Sequence, residues 1–383
     1  MTTLYILLAG ATVAFVWLCI VAGPDTAIRM IYYNDTHIND YKLFPSRPLT
    51  ASPAPYHFKG NPDESRIPTE FMHGGTKVKL EEFVRANQTV AFLVIKDETI
   101  LYERYFREYE RQSLVQAFSM SKSFMSALIG CAIDERLIGS EEQPVTDFIP
   151  ELKANGFDRV TLRHLLNMTS GTNYRQGGLN EINPFGLHPR FEYTPRLESE
   201  ILKLKVQDEP GSQFEYKSGD TAILSLALKR ALKTKTITAY LQEKIWTPLG
   251  MESNAVYTLD HEGDGLEKTW CCLAATARDF AKFGQLYLNR GMWQGKRILS
   301  EEWIKRSTPF GFAERGWISS LPGYKYHWWI LGNGNFLGAG KAGQLLYINP
   351  SRNFLCVRLG RRSGSPGLWG WTTLFNYLAE QSK

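Results

Sequence analysis

The way strand-like and helix-like segments are distributed along the chain constrains its fold more than any other feature. Val90–Ile95 and Thr99–Tyr105 are apolar, β-branched or aromatic runs around Lys96-Asp97-Glu98, which predicts a hairpin. Helical spacing then dominates from Ala117 to about Gly250, with clear helices expected at Ala117–Arg136 and Thr221–Leu232, and another at Ala277–Leu288. Strand character returns at Tyr326–Leu331, Gln344–Ile348 and Phe354–Leu359, and Trp369–Gln381 reads as a closing helix. Strands at both ends of a helical stretch imply an α/β (α+β) fold. One central antiparallel sheet is built from distant parts of the chain and flanked by helices, and an all-helical lobe of about residues 120–265 is inserted in it. A cleft is expected where sheet hands over to lobe.

The 383 residues, 43% of them hydrophobic, suffice for a large core. Residues 81–383 read as the globular domain. Residues 24–80, broken by prolines 45, 48, 53, 55, 62 and 68, read as an irregular linker. The net charge of +5 comes from 44 basic and 39 acidic side chains mixed along the sequence. No basic patch is interleaved with aromatics, so nucleic-acid binding is not expected. Leu4–Gly23 is an uncharged run long enough, at about 1.5 Å per residue, to cross a hydrocarbon core. Met1-Thr2-Thr3 lacks the basic residue of a signal peptide, and Ala22-Gly23-Pro24 is a poor cleavage site. Residues 1–23 are therefore expected to be one uncleaved membrane helix, with the following domain on the extracytoplasmic side. Cys19, Cys131, Cys271, Cys272 and Cys356 show no C-x-x-C or Cys/His metal spacing. Most are expected to be single buried thiols, and neither a metal nor a cofactor is expected.

Ser119-Met-Ser-Lys122 places a hydroxyl and an amine one helical turn apart, on a shared face. A serine hydroxyl becomes a useful nucleophile when a base takes its proton. A lysine serves as that base when burial or nearby positive charge lowers its pKa. Phe118, Phe124, Met125, Leu128, Ile129, Ala132 and Ile133 form an apolar face around the pair, which places it at the mouth of a buried element. Two further segments offer partners. Tyr216, at the end of a turn and followed by Lys217-Ser218 and a helix, brings a phenol that can relay a proton. Gly338-Ala-Gly340-Lys341 precedes a strand, and its small residues let the backbone N–H approach a developing oxyanion. His164 reads as a structural helix residue.

The order Ser-x-x-Lys, Tyr-x-Ser, Gly-rich strand edge resembles the serine β-lactamase and penicillin-recognising superfamily. The likeness is to its class C-like esterase branch, which includes the 6-aminohexanoate-dimer hydrolases. Phe118–Phe124, Pro144–Leu152, Val160–Gly171, Pro248–Met251 and Thr276–Gln285 carry it further, over roughly residues 80–383. The resemblance implies acyl transfer through an acyl-enzyme, with no metal. Ser119 would be the nucleophile, Lys122 its base and Tyr216 the proton shuttle. The N–H groups of Ser119 and Lys341 would form the oxyanion hole, and Ser218 and Gly340 would contact substrate. Ser218 stands where β-lactamases usually carry asparagine, and Gly338 stands where they carry a basic residue; Lys341-Ala-Gly343 offers a basic version of that motif, but the Gly343-Gln344 spacing fits the hydrolase branch better. These departures favour a small ester or amide substrate over a β-lactam. A β-lactamase or D-amino-acid peptidase, and a catalytically silent membrane-bound binding protein on the same fold, are the alternatives. The loop from Asn173 to Pro195 is expected to set the choice of substrate.

Overall fold

The computed structural model describes the chain except residues 1, 34–36, 61–62, 182, 309–322 and 332–333, and except the side chains of residues 2–4, 6 and 64. Two helices lead in: α1 (Thr2–Ala22) and α2 (Pro24–Tyr32). The sheet begins with the hairpin β1 (Thr89–Lys96) and β2 (Thr99–Tyr105). The helical lobe follows, with α3 (Ser121–Asp134), α4 (Leu187–Tyr193) and α5 (Ser218–Leu232). The chain returns through α6 (Ala277–Leu288) to β3 (Gly323–Lys325), β4 (Trp328–Ile330), β5 (Phe336–Gly340), β6 (Gln344–Asn349) and β7 (Phe354–Gly360), and closes with α7 (Gly367–Gln381). The seven strands form one antiparallel sheet in the order β3-β4-β5-β6-β7-β1-β2.

β1 and β7 pair from Phe354 with Lys96 to Gly360 with Thr89, so early and late strands lie side by side inside the sheet. Both strands are buried almost without a break because both faces of the sheet are covered. Leu93 and Ile95 of β1 join one core with Phe280 and Phe283 of α6, while Phe92 and Val94 point the other way, into a second core with Trp371 and Phe375 of α7.

A second, four-stranded sheet joins Ser46–Leu49, Ala255–Thr258, Leu273–Ala275 and Val115–Gln116, in that order. The stretch read as an irregular linker is thus more ordered than its prolines imply. Besides α2, it holds a strand paired to Ala255–Thr258 and the hairpin Glu70–His73/Thr76–Lys79. Pro48 sits on the edge strand of its sheet, where a missing N–H is tolerated.

The expected membrane span finds no support among the described residues. α1 is helical over 21 residues, but among the described residues no helix is long and apolar enough to cross a membrane. The start of the expected span, at Leu4 and Ile6, falls on side chains outside the description. Near its C-terminal end α1 is tied to the lobe, since Leu18 packs with Ala27 and Met30 of α2 and with Tyr193 of α4.

Candidate active site

The turn bearing Ser119 is shaped by three neighbours. Phe118–Met120 is a single 3-10 turn that feeds into α3, so the helix expected from Ala117 starts in a tighter winding. Phe118 has φ 46°, a left-handed conformation that is costly for a bulky residue and is kept only where packing enforces it. β5 supplies that packing. A Cβ on Gly340 would lie 2.3 Å from Ala117 O and 3.1 Å from Ser119 N, so only glycine lets the strand edge lie against the nucleophile turn. α3 itself is buried from Ser121 to Ala132, and Phe124 stacks on Phe283 of α6 with ring centroids 3.7 Å apart.

Lys122 Nζ lies 2.8 Å from Ser119 Oγ, 3.1 Å from Ser218 Oγ and 3.0 Å from Trp270 O. The side chain is about 1% exposed, and burial lowers its pKa to about 7, against the opposing pull of Glu192 and Glu181. The Tyr216 ring centroid is 5.0 Å from the same amine, and Trp329 stacks on that ring at 5.4 Å and 19°. Burial raises the Tyr216 phenol well above its usual value, and a hydrogen bond with Ser119 offsets part of the rise. The geometry thus brings Ser119, Lys122, Tyr216 and Ser218 together. Gly340 closes against them, and Lys341 lies in the wall of the same cavity.

That cavity has a volume of about 320 Å³. Three tryptophans, Trp270, Trp329 and Trp371, line it. The Asn173–Pro195 segment contributes Gln176, Glu181, His188 and Glu192. Tyr174 OH lies 2.8 Å from His188 Nδ1, and burial lowers the His188 pKa. Trp270 Nε1 donates to Glu192 Oε1 at 2.7 Å. His164 lies elsewhere: its Nδ1 accepts from Thr161 N at 3.2 Å and completes the cap of the short helix Leu162–Leu166.

Three features have no counterpart in the sequence reading. The carbonyl of Trp270 is a direct partner of the lysine, and a backbone oxygen has no residue-type signature. Arg358, buried in β7, donates to Ala342 O, Gly343 O, Asn87 O and Arg362 O, and so pins the turn that follows β5. Desolvation lowers its pKa to about 9. Cys271 and Cys272, expected as separate thiols, are bonded to each other, and Cys271 faces the cavity.

A family model described as Beta-lactamase matches residues 79–370. The chain is 28% identical over 295 residues to 6-aminohexanoate-dimer hydrolase of Paenarthrobacter ureafaciens, an alignment covering 73% of this chain and 74% of that protein. Among solved structures, a Bacillus anthracis protein assigned as a 6-aminohexanoate-dimer hydrolase superposes with a TM-score of 0.72 at 26% identity, covering 89% of this chain and 91% of that one. A family VIII carboxylesterase shares the fold with a TM-score of 0.61 at 16% identity, covering 79% of this chain and 96% of the other.

Proposed function

The chain belongs to the Beta-lactamase family and is a serine hydrolase, and from that premise we propose that it cleaves a small ester or amide through an acyl-enzyme on Ser119. The arrangement around Lys122 carries this reading. A neutral amine has two hydrogens and one lone pair. The three neighbours of Nζ are all uncharged oxygens, and two of them, Ser218 Oγ and Trp270 O, take its hydrogens. The lone pair is then left facing Ser119 O–H at 2.8 Å, the geometry a general base requires.

In the proposed cycle Ser119 Oγ attacks the substrate carbonyl as its proton passes to Lys122 Nζ. The N–H groups of Ser119 and Lys341 receive the oxyanion. The Tyr216 phenol, beside Ser119 in the cavity wall, relays a proton to the leaving group, and Ser218 and Gly340 contact the substrate. Water then enters along the same path, gives up a proton towards Tyr216 and Lys122, and releases the acid. No carboxylate-binding basic residue precedes Gly340 on β5, which supports ester or amide over β-lactam. Lys341 in the cavity wall is the one observation favouring the second reading, a β-lactamase or D-amino-acid peptidase.

The test is covalent labelling of the intact chain with a fluorophosphonate and with penicillin, the modified residue being located by mass. Fluorophosphonate on Ser119, lost in Ser119→Ala and much slowed in Lys122→Ala, is the expected result. Slowly released penicillin on Ser119 selects the second reading, and no label from either reagent leaves a silent binding protein.

We also propose that α1 holds the catalytic domain at a membrane, on the extracytoplasmic side. Leu7, Val13, Trp17 and Ile20 are exposed on a helix without charge, and such a surface is stable in lipid and unfavourable in water. Retention of the full chain in the pellet after alkaline extraction, and its protection or cleavage by protease in intact cells, decide this.

A further inference from the structure

Residues 270–273 run along the back of the nucleophile turn and touch it three times. Trp270 O accepts from Lys122 Nζ, Ser121 Oγ accepts from Leu273 N at 3.2 Å, and Leu273 O accepts from Ala117 N at 2.8 Å. Between these contacts sit Cys271 and Cys272, whose sulfurs are bonded. A disulfide between chain neighbours closes a small ring that contains their shared peptide bond, so it restricts the backbone torsions of both residues. Other interactions secure the flanks. Cys272 O accepts from Thr258 N at 3.0 Å, Gln116 Nε2 donates to Cys272 Sγ at 3.7 Å, and Trp270 Nε1 donates to Glu192. Cys271 Sγ borders the cavity, 3.8 Å from Glu192 Oε2, where a small solute can reach it.

We infer that Cys271–Cys272 is a reversible thiol–disulfide exchange site that sets the competence of Ser119. In the oxidised state the ring holds the Trp270 carbonyl on Lys122. In the reduced state only the flanking hydrogen bonds hold the segment, the torsions at Cys271 are released, and the Trp270 carbonyl shifts off the amine. The inference rests on Lys122 as the base, as proposed above. The reaction partner is a low-molecular-weight dithiol entering through the cavity. One of its thiolates attacks Cys271 Sγ, the Cys271–Cys272 bond breaks, and Cys272 leaves as a thiolate that takes up a proton. The second thiol of the reagent then attacks its own sulfur in the mixed disulfide and frees Cys271 as a thiol. The protein gains two hydrogens and the dithiol becomes a cyclic disulfide. With the carbonyl gone, an N–H of Lys122 loses its acceptor and the amine lone pair is no longer fixed on the hydroxyl.

The test uses the detergent-solubilised full chain with dithiothreitol as reductant and oxidised glutathione as oxidant. Thiols are counted at Cys271 and Cys272 by iodoacetamide alkylation and peptide mass. Competence is read as the fluorophosphonate labelling rate of Ser119 against pH, and structure as amide hydrogen exchange over residues 116–124. The oxidised protein should take no alkyl group at the pair and the reduced protein two. Reduction should slow Ser119 labelling about tenfold, speed exchange over 116–124, and be reversed by the oxidant. The Cys271→Ser/Cys272→Ser double variant should label at the slow rate and ignore the dithiol. Alkylation of both cysteines before any reductant overturns the inference. So does a reduced protein with unchanged labelling and unchanged exchange. Should Ser119 label in neither state, the catalytic reading fails instead, and hydrogen exchange alone then decides whether the pair controls the turn.

Discussion

At the scale of single residues the proposed chemistry depends on keeping one amine unprotonated. Burial brings Lys122 from its usual 10.5 to about 7, so the neutral fraction grows as pH rises through that value. Ser119 acylation should therefore climb with pH along a limb centred near 7 and level off above it, as read from kcat/KM against pH. The same shift has a stability sign. Between about pH 7 and 10.5 the unfolded chain binds a proton that the folded chain does not, so this group's contribution grows more favourable as pH rises across the window. Lys122→Met removes the cost of burying the amine. It should abolish labelling while stabilising the fold near pH 7 by on the order of 1–3 kcal/mol, measured by urea unfolding. Tyr216→Phe keeps the ring beside Lys122 and Trp329 but deletes the relay, and should lower kcat by about 10²–10⁴ with little change in Tm. That Ser119, Lys122 and Tyr216 come together was legible from their spacing and order. Glu192 and the Trp270 carbonyl were not, because one is a common surface residue type and the other is backbone.

At the scale of elements the site is a fit between a strand edge and a one-turn helix. Gly340 of β5 rests against Ala117 O and Ser119 N, and the turn after it is held from behind by Arg358 of β7. Gly340→Ala would force these apart. It should cost at least about 2 kcal/mol in unfolding free energy and lower the acylation rate at least about 100-fold, checked by unfolding and by labelling of the residual folded fraction. Long elements such as β1, β7, α5 and α6 were legible from period and length. The Phe118–Met120 turn was not, since its winding is imposed by β5 and Phe118 has no local preference for φ 46°. The ordered stretch at residues 46–49 was also hidden, because Pro48 argues against a strand unless an edge position is known.

At the scale of the whole molecule the N-terminal helices meet the catalytic body around Tyr193, Arg196 and Asp260. Arg29 of α2 donates to Asp260 O at 3.0 Å, Tyr193 OH donates to Tyr33 O at 3.0 Å, and α4 presents its other residues, His188 and Glu192, to the cavity. Removal of residues 1–22 spares these α2 contacts. The truncated protein should keep kcat/KM within about twofold on a water-soluble ester, while the full chain alone remains with the lipid fraction. The overall topology was legible because strand signals flank a helical middle. The exact strand order was not, since pairing partners so far apart leave no local trace.

The pairing of β1 with β7 also has a consequence for biosynthesis. As the polypeptide leaves the ribosome, the hairpin carrying β1 emerges with one long edge bare, and it stays so until residue 360 has been made. For most of translation the nascent chain therefore displays an unsatisfied, strongly apolar ladder, which needs shielding until the last strand docks.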